Sequence, residues 1–156
     1  EVEVVSIEKK ALADRKLYEE KTVSGMEFLE RNSILRAKQQ VIEQAIDKAR
    51  ESISGLNDEE YFNVLEKLLR KNVQQGKGKI CFSKKDLDRI PNGFEDRVKE
   101  IVAENQGELV IDKEPANIKD GFVLVYGEIE ENCTLKALFD SNIDRIKDIA
   151  NKQLFG

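Results

Sequence analysis

From residue 1 to 56 apolar positions recur within a steady mix of Glu, Lys, Arg, Ala and Leu, with no Pro, which is the pattern of a long helix. Leu12, Val23, Ile34, Ala45 and Leu56 lie eleven residues apart, and so do Ile7, Tyr18 and Leu29. An eleven-residue period corresponds to about 3.67 residues per turn, which favours a right-handed over a left-handed supercoil. The first five residues (EVEVV) have strand character, and Ser24-Gly25 is a soft spot where Gly costs about 1 kcal/mol relative to Ala. A break or kink near residue 25 is therefore expected. So long a helix cannot bury its apolar stripe against itself; it either folds back on the rest of the chain or lies along a helix from another chain.

Ser54-Gly55-Leu56-Asn57 ends this helix, and Asn57 with Glu60 forms the capping-box spacing of a second one. Its apolar side is Tyr61, Phe62, Val64, Leu65, Leu68, Leu69 and Val73, and Gln74 to Gly78 terminates it. Lys79 to Phe82 is a short strand. Ser83 caps a third helix, with Asp86 three residues on; Pro91-Asn92-Gly93 interrupts it, and Phe94 to Glu104 resumes the helical period. Gln106-Gly107 stops it, Glu108 to Asp112 is a strand, and Lys113 to Asp120 a loop. Phe122 to Tyr126 (FVLVY) is the densest β-prone run in the chain, and Gly127-Glu128 is a two-residue hairpin turn into a second strand from Ile129. Thr134 then caps one long amphipathic helix with Leu135, Leu138, Phe139, Ile143, Ile146, Ile149, Ala150 and Leu154 on its apolar side. Laid across the hairpin, it forms a core with Phe122, Leu124, Tyr126, Leu138 and Ile146, which Phe155 plugs.

The expected fold is α+β: a stalk helix over residues 1–56 and a two-layer head over 57–156. Within that head one four-stranded sheet is covered by helices, in the order α-β-α-β-β-β-α. Composition supports the division. Charged residues are 37 % of the 156 and aromatics 6 %, with no Trp and two Pro, which is thin for one compact core of this length. Net charge is −5 with both signs interspersed, so there is no basic patch for nucleic acid or an anionic membrane surface. No apolar run approaches the roughly 20 residues of a membrane span. No signal peptide is visible, and the start without Met is that of a fragment or a trimmed chain. Cys81 and Cys133 lack metal-ligand spacing and are expected to be reduced and buried.

Candidate chemistry is sparse. The absence of His removes the commonest general base, the usual triad partner and most zinc sites. Gly76-Lys77-Gly78-Lys79 lacks the spacing and the Ser/Thr of a phosphate loop, and it precedes a strand rather than a helix. Glu128, Glu130, Glu131 and Asp140 cluster at the hairpin, where paired carboxylates would serve acid–base catalysis only if one were desolvated; a solvated face is the simpler account. Glu66-to-Arg70 and Asp86-to-Arg89 have the spacing of helix-surface pairs. No catalytic, cofactor or metal-binding residue is assigned, and no cofactor is expected.

A Gly-led apolar strand, a hairpin, Asn132-Cys133-Thr134-Leu135 and a helix closing on Leu154-Phe155-Gly156 resemble the end of the E subunit of the V-type (A/V-type) rotary ATPases. Ala37-Lys38-Gln39-Gln40-Val41-Ile42, followed by Ala45-Ile46-Asp47-Lys48-Ala49, resembles that family's junction of stalk helix and head. The resemblance covers roughly residues 34–156. It implies a non-enzymatic peripheral-stalk (stator) protein, cytoplasmic and peripheral to the membrane without inserting into it, in a complex coupling ATP to proton or sodium transport. It implies further that the N-terminal helix forms a coiled coil with the helix of the G subunit, through a stripe including Leu12, Val23, Ile34, Val41 and Ala45. The head and final helix would anchor the stalk to the B subunit. The alternatives are a stator-like regulator of a flagellar or secretion ATPase and, from another class, an enzyme with an acidic site at residues 128–131.

Overall fold

The computed structural model describes residues 1–156, which divide into two compact units, Glu1–Gln44 and Ala45–Gly156. The architecture is α+β, as the hydrophobic pattern predicts. The helix ends where the sequence places its stop, but the second unit begins earlier, at Ala45, and so takes in the last turns of that helix.

Helix α1 spans Val2–Ser54 without a break, so neither the strand character of EVEVV nor a break at Ser24-Gly25 is realised. Isolated extended residues have no neighbouring strand here to take their backbone hydrogen bonds. Adding a turn to an existing helix avoids the cost of nucleation. The β-branched penalty of Val2, Val4 and Val5 is only a fraction of a kcal/mol each, and Val5 N–H already donates to Glu1 O at 3.3 Å. Gly25 sits in open space with no atom within 4 Å of where a Cβ would lie.

In the second unit, α2 (Asp58–Asn72) starts on Asn57, whose side chain accepts from Glu60 N–H at 2.9 Å. Strand β1 (Gly76–Phe82) is followed by a short helix α3 (Lys84–Leu87), capped by Ser83, and by α4 (Phe94–Glu104). Strands β2 (Gly107–Ile111), β3 (Phe122–Tyr126) and β4 (Ile129–Cys133) complete a sheet of order β2-β1-β3-β4, in which β1 and β2 are parallel and the other pairs antiparallel. Pairing of Tyr126 with Ile129 leaves Gly127-Glu128 as the two-residue loop, with positive φ at Gly127, the pattern of a type II′ turn. Strand β1 begins three residues earlier than its apolar run, because Gly76, Lys77 and Gly78 pair with Gly107, Glu108 and Leu109. Gly78 is required there: a Cβ would come within 2.7 Å of the Tyr126 ring and the Val125 carbonyl. Tyr126 lies over this gap, and its hydroxyl accepts from Gln74 N–H at 3.0 Å.

The expected single C-terminal helix is two, α5 (Leu135–Ser141) and α6 (Ile143–Phe155). The Asn142 side chain donates to Leu138 O (2.9 Å), as does the Ser141 hydroxyl (3.0 Å), while Asn142 N–H moves to Phe139 O (3.2 Å). Polar side chains thus take the carbonyl that would continue the helix. As a consequence α6 buries no residue. Phe122 and Leu124 are fully buried, and Tyr126 and Leu138 pack half-buried against the same cluster. Ile146 is half-exposed and not part of that cluster, and Phe155 is 42 % exposed rather than a plug.

The core lies on one face of the sheet. Phe62 of α2 meets Phe94 of α4 edge-on at 4.8 Å, and the rings continue through Phe82 to Phe122, an arrangement in which ring edges meet ring faces. Beside them, Tyr61 hydroxyl donates to the buried Asp86 (2.9 Å) and accepts from Gly121 N–H (2.8 Å). Arg89 donates to Asp86 (2.9 Å) and lies 4.1 Å over the Tyr61 ring, and Ser54 hydroxyl donates to Asp120 (3.0 Å). Every buried side-chain polar atom has a partner.

Burial also holds two acids neutral. Desolvation, aided by Glu131, pushes the Cys133 thiol from 9.0 up to about 12, and desolvation likewise raises the Tyr61 phenol above its usual 10.0. For a raised folded pKa the stabilisation is complete below the unfolded pKa and is lost as pH rises toward the folded value. Unfolding free energy should therefore fall from about pH 9 upward, with a slope approaching about 1.4 kcal/mol per pH unit for each proton. Cys133→Ala should remove the Cys133 share of that slope in urea titrations between about pH 8 and 11. Tyr61→Phe leaves Asp86 without one donor and Gly121 N–H without its acceptor. It should lower stability by about 1–3 kcal/mol, read from the denaturation midpoint. Gly25→Ala meets no steric obstacle and should stabilise the helix by up to about 1 kcal/mol, seen as higher helicity by circular dichroism.

Candidate partner-docking surfaces

Within Glu1–Gln44 the large apolar side chains are exposed almost without exception. Of the stripe expected to face a partner helix, Leu12 is 66 %, Val23 54 %, Ile34 51 % and Val41 43 % exposed, while Ala45 is half-buried. At about 100° per residue these five fall within an arc of about 60°, so the helix presents them together. A second line escapes the eleven-residue reading. Within the second unit Ile46 is buried, and Ile53 and Leu56 pack against its core cluster. The signal for it is the seven-residue spacing of Ile46 and Ile53, a different register from that of Leu12, Val23 and Ile34.

Of the two pairs assigned to helix surfaces, Asp86–Arg89 forms at 2.9 Å but not on the surface, and Glu66–Arg70 does not form. Asp86 is buried rather than exposed, because α3 is a single turn that directs this carboxylate onto Tyr61. Glu66 pairs with Arg97 and Arg70 with Glu104 (3.1 Å), so both bridge α2 to α4 instead of pairing along α2. Helix-surface spacing identifies possible neighbours within one helix but not the competing charge that a second helix brings closer.

Gly76 to Lys79 forms the start of β1, not a loop at a helix N-terminus. On the uncovered sheet face Lys77 pairs with Glu108 (3.2 Å) and Lys79 with Asp112 (3.5 Å), across a shallow trough containing Cys81, Val110 and Val125. Asp112 accepts from Glu114 N–H (3.1 Å), which with Lys79 holds its carboxyl below the usual range. The trough's cations are thus neutralised internally.

At the hairpin Glu128 and Glu130 are exposed and Glu131 partly so. Glu130 and Glu131 stand opposite Val125 and Leu124 and so point to opposite faces of the sheet, not into a shared cleft. On an edge strand such charges oppose further strand pairing. No group of three or more His, Cys, Asp or Glu side chains is placed to hold a metal ion, and no helix is long and apolar enough to cross a membrane.

Nearly the whole chain resembles known proteins. The family described as ATP synthase (E/31 kDa) subunit matches residues 3–155. The V-type ATP synthase E subunit of Clostridium botulinum (strain Langeland) is 30 % identical over 138 residues, covering 87 % of this chain and 69 % of that protein. The protein of the same name from Acetivibrio thermocellus is 29 % identical over 105 residues, covering 66 % of this chain and 53 % of its own length. That from Clostridium perfringens (strain SM101) is 30 % identical over 127 residues, covering 80 % and 64 %. The chain thus spans between about half and two thirds of the curated relatives it matches. With a family match across nearly its whole length, this chain belongs to the E-subunit family of the V-type ATP synthases.

Proposed function

We propose that this chain is a peripheral-stalk component of a V/A-type rotary ATPase. Its N-terminal helix pairs with the helix of the G subunit, and its C-terminal unit anchors the stalk to the B subunit of the catalytic head. The stalk holds that head still while the rotor turns, in a cytoplasmic assembly peripheral to the membrane that couples ATP to proton or sodium transport. The chain itself is not an enzyme in this reading; its contribution is mechanical.

The observation that carries the reading is the run of exposed apolar residues on Glu1–Gln44, a helix with no core of its own. Exposure of Leu12, Val23 and Ile34 leaves apolar area in water that only a second chain of matching shape can remove. Covering one such side chain is worth about 1.5–3 kcal/mol, so a stripe of them supports stable pairing even after the entropy of association. Ala45 closes the same stripe, at the first residue of the second unit. The anchorage is assigned to the C-terminal unit because α6 offers Ile149 and Leu154 on its surface.

Co-expression with the G subunit followed by size exclusion and light scattering tests the pairing. An elongated one-to-one heterodimer is expected. Val23→Asp with Ile34→Asp should weaken it by about tenfold or more, since each buried carboxylate lacks a partner, while the C-terminal unit keeps its thermal transition. A wild-type chain that stays monomeric beside the G subunit would refute the stalk assignment.

A further inference from the structure

We propose that the strip over residues 7–34 seats a partner helix that is basic along its flank at eleven-residue spacing, opposite Glu8, Glu19 and Glu30. The proposal rests on the stalk reading and deepens it by naming the partner's chemistry. Eleven residues complete very nearly three helical turns, so each eleven-residue series forms one row down the helix. At about 100° per residue, the row Leu12, Val23, Ile34 and the row Ile7, Tyr18, Leu29 stand about 140° apart. Glu8, Glu19 and Glu30 form a third row between them, about 40° from the first. All nine side chains are exposed.

The strip is therefore apolar at both margins and carries three acids, Glu8, Glu19 and Glu30, against one cation, Arg15, between them. Arg15 reaches Glu19 at 3.2 Å, but Glu8 and Glu30 make no ion pair. Lys16 flanks the Leu12 row on its outer side, away from the glutamates, and Lys9, Lys10, Lys21 and Arg31 lie farther outside the arc, round the helix. A helix that covers the two apolar rows also takes the carboxylates out of water, which is unfavourable unless each has a cation, and Glu8 and Glu30 have none on their own helix. Lys or Arg on the incoming helix meets this requirement, because its aliphatic stem covers apolar surface while its head reaches the carboxylate. A second copy presenting the same face would set carboxylate rows against each other, so the strip discriminates against self-pairing.

The test uses two synthetic peptides of three eleven-residue repeats with the same Leu/Ile/Ala seam, differing only in Lys or Glu at the flanking position. Each is dye-labelled and titrated against the full chain by fluorescence anisotropy at about 0.1 M and about 1 M NaCl. The Lys peptide should bind about tenfold or more tightly at low salt, the preference should shrink at high salt, and Glu8→Lys/Glu19→Lys/Glu30→Lys should reverse it. Reversal cannot arise from a helix that has merely come undone. Equal affinities, preference for the Glu peptide, no binding of either, or a wild-type homodimer lost in the triple variant would overturn the proposal. Equal pairing of the G subunit with wild-type and triple variant would overturn the charge assignment and leave the stalk reading intact. If the G subunit pairs with neither, both fall.

Discussion

A lone helix has no interior. Every apolar side chain on α1 before residue 42 is left in water unless another surface arrives, because side chains on one helix touch only their neighbours a turn away. The rest of the molecule contrasts with this constraint. From Ala45 onward, four strands and the helices on one of their faces enclose Phe62, Phe82, Phe94 and Phe122 completely. The chain thus joins a segment that lacks a core to one that is self-sufficient. The proposed stator role gives that division a use, since such a part binds one partner along its length and another target at its end.

Inside the C-terminal unit, the polar network around Tyr61 joins elements that are remote in sequence. One phenol oxygen accepts from Gly121, just before β3, and donates to Asp86 of α3. Arg89 adds a charge-assisted bond to the same carboxylate and a cation over the ring. Ser54, the last residue of α1, bonds to Asp120, immediately before Gly121. The end of α1 is thereby fixed to the loop that feeds the central hairpin. A satisfied buried network of this kind specifies one arrangement of its elements, because any other leaves a polar group unpaired.

Much of the fold was legible because local signals and long-range packing agreed. Asn57, Ser83 and Thr134 cap the helices they precede, and Gly127-Glu128 makes the tight hairpin. The apolar side of α2 is the buried side. What escaped was competition. EVEVV prefers strand in isolation, but with no strand beside it the preformed helix extends through it. The 135–154 pattern is helical throughout, yet two polar side chains capture Leu138 O and divide it. Asp86 looked like a surface residue because its spacing to Arg89 was visible while its approach to Tyr61, across 25 residues of sequence, was not. As to the docking stripe, the positions of Leu12, Val23 and Ile34 on one arc followed from their period alone. The acidic row between the margins emerged only when all rows were placed around the same helix.

The position of β1 has a consequence for synthesis. It is an interior strand, yet both of its neighbours, β2 and β3, are encoded after it. As the chain leaves the ribosome, α1, α2 and β1 are complete while the sheet is still a single unpaired strand. The parallel pairing needs the α3–α4 crossover first, and the antiparallel one needs the chain as far as Val125. Closure of this unit is therefore a late, cooperative event dominated by contacts distant in sequence, of the kind that folds slowly. Until then the nascent chain exposes both the unclosed sheet and the bare α1 stripe, which makes early encounter with a chaperone or with its own partner a kinetic advantage.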